Sequence, residues 1–111
     1  IESGEEIVTK EIEVLSVGFA ADSGMVIVRF LAPPEEAEKW WQGDLAVTDE
    51  ASEVEYNEVP VMPRIGPLIS RPKRDGQQGY FMLMNPQPYL ESGDTVTVRM
   101  GNYTFDHIPV N

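Results

Sequence analysis

Most apolar runs in the chain are short, rich in Val, Ile, Thr, Tyr and Phe, and closed at their ends by Gly, Pro, Asn or Asp. That is the pattern of extended segments joined by turns, because β-branched and aromatic side chains suit a pleated surface while the punctuating residues suit reversals. Helical periodicity is nearly absent. The runs predict strands near 7–19, 24–31, 44–49, 53–59, 64–70, 79–84, 94–100 and 103–110. Eight strands within 111 residues predict an all-β antiparallel sandwich or barrel, built as one domain over residues 1–111.

Two of these runs break the two-residue alternation. In EIEVLSVGF the apolar set changes parity between Val14 and Leu15, and in GNYTFDHIPV it changes at Asp106 and His107. A strand can switch its buried face only by bulging or by crossing to another sheet, so both runs are expected to lie near edges. Pro109 agrees, since a residue without an N–H suits an edge strand. Three tight turns are marked: ADSGM between the first two strands, DEAS between the third and fourth, and MGNY between the last two.

The stretch PQPYLESGDTVTV places Leu90, then Gly93 and Asp94, ahead of an alternating strand. This resembles the loop before the penultimate strand of immunoglobulin-like and fibronectin type III-like sandwiches. The resemblance implies an immunoglobulin-like antiparallel β-sandwich of seven or eight strands, and implies nothing about activity. The chain departs from true immunoglobulin domains in having no cysteine pair and no tryptophan within the third strand, and Val96 stands where a corner tyrosine would sit.

Charge separates the two halves. Residues 1–58 carry fifteen acidic and three basic side chains, whereas residues 59–111 carry four and five. With a net charge of -11, the surface repels phosphate backbones and anionic lipid heads and suits a cation or a basic partner. Nucleic-acid binding is not expected. Membrane insertion is not expected either, because no apolar run approaches the ~20 residues that cross a bilayer. The opening IESGEEIVTKE has no basic n-region or apolar h-region, so the expectation is a mature or excised segment; the compartment expected for such a module is extracytoplasmic, in the periplasm, at a cell surface or secreted. Without cysteine, a disulfide framework, thiolate metal ligands and a thiol nucleophile are all excluded.

Five places could carry function. PPEEAEKWWQG predicts a short helical turn near 34–42, with Pro34 at its first position and Glu35 and Glu36 at its positive end. Consecutive helical residues point about 100° apart, so one of Trp40 and Trp41 is expected to plug the sandwich and the other to be at least partly exposed; either both rings are packing lids over an open sandwich end, the preferred reading, or the exposed one stacks on a sugar or a partner's side chain. Asp49, Glu50, Glu53 and Glu55 gather around one hairpin, where solvated charge competes with a structural Ca²⁺ site. His107 is the single histidine, and Asp106, its strand neighbour, points to the other face; a bulge histidine bonded to backbone is expected, with no catalytic residue assigned. The segment RIGPLISRPKRDGQQG carries Arg64, Arg71, Lys73 and Arg74, a mobile loop or an element that docks on acidic surface.

The fifth place is a surplus of apolar side chains. Val26, Val28 and Phe30, with Phe81 and Leu83, satisfy the core, which leaves Met25, Ile27, Tyr80, Met82 and Met84 on the opposite face. Either Pro60 to Arg74 or the chain start covers this stripe, or it is a docking face for another domain or subunit. The expected function is therefore a non-catalytic interaction or structural module, making protein–protein contact or self-associating through Met25, Ile27, Tyr80, Met82 and Met84, with Arg71, Lys73 and Arg74 contributing charge. A carbohydrate-binding module using Trp40 or Trp41 is the alternative, and a calcium-stabilised adhesion-type domain the third reading. No cofactor is expected beyond that structural Ca²⁺.

Overall fold

The computed structural model describes residues 12–111, and the part of the first expected strand that lies before residue 12 falls outside them. The described chain is all-β with antiparallel sheets. Its elements are β1 (Glu13–Ala20), β2 (Met25–Leu31), α1 (Pro34–Ala37), β3 (Leu45–Asp49), β4 (Glu55–Tyr56), β5 (Val61–Met62), β6 (Gly66–Pro67), β7 (Ile69–Ser70), β8 (Gln78–Met84), β9 (Thr95–Met100) and β10 (Tyr103–Pro109).

One four-stranded sheet has the order β1-β2-β8-β7 and the other the order β10-β9-β3-β4, while β5 and β6 form a separate two-stranded hairpin. Inward residues of both four-stranded sheets share a single buried cluster. Val17, Val26, Val28, Phe30, Phe81 and Leu83 come from the first, and Leu45, Val47, Val96, Val98 and Met100 from the second. The arrangement is compatible with a β-sandwich.

Both expected slips are present. The β1–β2 register shifts between Val14 and Ser16, so Leu15 becomes an extra residue on the surface while Val17 is fully buried. The β9–β10 register shifts between Phe105 and Ile108, with His107 at a φ of 61°. Beyond the second slip the end of β10 turns toward β1: Val110 bridges Val17 in parallel, and the Asn111 N–H donates to the Val17 carbonyl at 2.9 Å. The first strand thus contacts both sheets. The bulge lets its buried residues serve two sets of neighbours.

Three expectations need correction. The strand expected over 53–59 is only Glu55–Tyr56, because the chain then leaves the second sheet for the edge of the first. The strand expected over 64–70 is instead the second arm of the β5–β6 hairpin followed by β7. The helical turn expected over 34–42 stops at Ala37, after which the Lys39 and Trp40 amides bond three residues back rather than four. That tighter turn aims the Trp40 side chain inward.

Candidate functional site

The apolar stripe is assembled by strand pairing. β2 and β8 lie side by side in antiparallel register, with Met25 opposite Met84, Ile27 opposite Met82 and Arg29 opposite Tyr80. The alternate residues Val26, Val28, Phe81 and Leu83 are fully buried in the core, so the methionines, Ile27 and Tyr80 share the other face. Directly opposite residues have β-carbons roughly 4.5–5.5 Å apart, close enough for their side chains to pack. Met25, Tyr80, Met82 and Met84 are half-buried, and Ile27 in the middle is only 9 % exposed.

Within Pro60 to Arg74, β7 lies in the sheet beside β8, with Ile69 opposite Phe81, and the Met82 amide donates to the Leu68 carbonyl at 3.0 Å. The chain start, the other cover expected from sequence, lies outside the described residues. At the same edge the β5–β6 hairpin adds apolar surface that sequence reasoning did not find: Val61 is 64 % and Ile65 72 % exposed. Its signal was present in VPVMPRIGP, where Pro63 and Gly66 bracket a turn with apolar residues on both arms.

The two tryptophans separate as expected. Trp40 is 4 % exposed and packs edge-on against Phe30 at 5.6 Å and Tyr103 at 6.5 Å between ring centroids. Trp41 is 55 % exposed, and the Arg71 guanidinium lies 4.3 Å from its ring centroid. Arg71 also donates to the Ala37 carbonyl at 3.2 Å and to the Trp40 carbonyl at 2.6 Å. These carbonyls lie at the end of α1 and in the turn just beyond it, and one guanidinium fork reaches both. Arg71 is therefore an internal brace, whereas Lys73 and Arg74 stand exposed in the loop before β8.

The four hairpin acids are not brought together. Asp49 accepts from the Ala51 amide and the Ser52 hydroxyl, Glu55 accepts from Asn57 and lies near Arg99, and Glu53 sits in the turn at a φ of 65°. Among the described residues no three His, Asp or Glu side chains gather where they could hold a metal ion. Glu50 instead reaches the bulge of β10. It accepts from the His107 amide at 2.8 Å and pairs with His107 Nδ1 at 2.9 Å, and the Thr97 hydroxyl donates to it at 2.9 Å. The histidine is indeed in the bulge, but it is bonded to a side chain rather than to backbone. Its hydrogen bond to Glu50 raises its pKa, and the same bond lowers that of Glu50.

No helix among the described residues is long and apolar enough to cross a membrane. Neither a family model, nor a curated protein, nor a solved structure matches the sequence.

Proposed function

We propose that the chain is an immunoglobulin-like sandwich acting as a non-catalytic module that makes protein–protein contact through the outer face of the β2–β8 pair. The strand orders β1-β2-β8-β7 and β10-β9-β3-β4 support the immunoglobulin-like part, because they correspond to the ABED and GFC arrangement with one added strand. The contact reading rests on one observation: the register that sets Met25 beside Met84 and Ile27 beside Met82 on the face away from the core. Methionine and aromatic side chains are favoured at interfaces, where flexible thioethers adapt to a partner's shape.

The simplest partner is a second copy. The acidic first half of one molecule complements the basic side chains Arg64, Lys73 and Arg74 of another, which orients the two apolar faces. Sedimentation velocity over a rising concentration series tests this. Association should appear in the wild type and vanish in Met82→Glu, which should still melt cooperatively; a wild type that stays monomeric would defeat the self-association reading.

Sugar stacking is the second reading, and the burial of Trp40 leaves it to Trp41 alone. Its support is the exposed indole, and its test is tryptophan fluorescence during titration with soluble oligosaccharides. A saturable change lost in Trp41→Ala would favour it, and an unmoved spectrum would end it.

A further inference from the structure

At the end of the first sheet the β1–β2 turn meets the connection from β8 to β9. Ala21, Asp22 and Ser23 have φ of 55°, 54° and 71°, three successive side-chain-bearing residues in the left-handed region. Such a run persists only where its surroundings hold it. The holding group is Asn85, the one polar side chain buried among the described residues. Its Nδ2 donates to the Ser23 carbonyl at 3.0 Å and the Leu90 carbonyl at 3.2 Å, its Oδ1 accepts from the Leu90 amide at 2.9 Å, and its own amide donates to the Gly24 carbonyl at 3.1 Å. A single amide thus fixes both walls of the space between turn and loop.

That space is a cleft of about 500 Å³. Phe19 and Tyr89 supply aromatic surface, Asp22 and Glu91 supply carboxylates, and Ser23 and Ser92 supply hydroxyls. Tyr89 is 58 % exposed, although nothing in the core requires an aromatic ring there. Among the described residues no basic side chain lines the cleft, and neither carboxylate engages another described residue in a hydrogen bond or ion pair.

We propose that this cleft binds a lysine or arginine side chain presented by a protein partner. The chemistry of the lining selects the ligand. Two carboxylates repel phosphate and carboxylate groups, and a purely apolar ligand would strip water from both without replacing it. A basic side chain fits both kinds of wall, since its aliphatic stem packs on Phe19 while its cation faces Tyr89 and the two carboxylates. The volume exceeds one side chain, so the neighbouring residues of the partner segment enter as well. Met25 and Met84 directly adjoin Gly24 and Asn85 in the chain, which places the cleft at one end of the apolar stripe. The inference nevertheless stands on its own residues and survives failure of the outer-face reading.

The test is ¹⁵N-resolved titration of the full chain with Nα-acetyl-arginine amide and Nα-acetyl-lysine amide, with cellobiose as a neutral control. Saturable shifts are expected at the amides of Ser23 and Gly24 and of Tyr89 to Ser92, with affinity falling several-fold when salt rises from low to physiological strength, because screening weakens exposed charge pairs. The pair Asp22→Asn with Glu91→Gln should weaken binding about tenfold, and asparagine tolerates the left-handed turn. Tyr89→Ala should weaken it several-fold independently. Absence of saturation, equal binding by the charge-neutralised variant, or saturation by cellobiose in place of the basic probes would overturn the proposal.

Discussion

A β-carbon added at Gly101 would sit 2.5 Å from the Trp40 indole nitrogen, at a backbone φ of 63°. Gly101→Ala therefore forces the plug of the sandwich to shift and strains the β9–β10 turn at once. It should cost about 1–3 kcal/mol, read as a lower denaturant midpoint with unchanged slope. Asn85→Ala should cost a similar amount, about 2–3 kcal/mol, because the Leu90 carbonyl and amide it satisfies remain buried. The Glu50–His107 pair gives a pH signature. The raised pKa of His107 means that its contribution is full below its ordinary value of 6.5 and is lost as pH rises through the folded value. The lowered pKa of Glu50 means that its contribution is present above 4.5 and is lost as pH falls through its folded value. The pair therefore acts most strongly between the two. In an NMR titration His107 should have a pKa above 6.5 that Glu50→Gln returns toward it. The division between the tryptophans was legible in the sequence, since consecutive side chains cannot fill one slot. The partner of His107 was not, because Glu50 lies 57 residues away and only strand order brings them together.

Among the elements, those with strict alternation were read from sequence to within a residue or two, as β2, β8 and β9 illustrate. Both parity slips were also visible, since a change of buried face leaves a mark in the apolar pattern itself. The segment from residue 53 to residue 70 is hard to read from sequence because Tyr56 and Val59 enter the core while Val61, Met62 and Ile65 are exposed on a hairpin, so burial imposes no single alternation across it. Its brace is Arg71, which carries charge and supplies a fork to the end of α1. Arg71→Lys keeps the charge but loses the planar fork, so Trp41 fluorescence should shift toward that of a solvated indole in the lysine variant nearly as far as in Arg71→Ala. Equal spectra for wild type and Arg71→Lys would mean that charge alone holds the contact.

In the self-association proposed above, a net charge of -11 makes like copies repel despite the few acid–base contacts that orient them, and burial of the methionine stripe supplies the attraction. Added salt screens both the net repulsion and the fewer attractive contacts but spares the burial, and the repulsion is the larger of the two, so self-association should strengthen with ionic strength even as binding of a basic probe in the Asp22–Glu91 cleft weakens. The all-β antiparallel class followed from strand rhythm, whereas the cleft did not, because no local pattern tells that the first turn and the loop after β8 share an end. The five methionines report directly on the central claim. In ¹³C-methyl spectra recorded over increasing concentration, the methyl signals of Met25, Met82 and Met84 should move together while that of Met100, fully buried in the core, stays fixed. Three unmoved outer-face signals in a sample that sedimentation shows to be associated would contradict it.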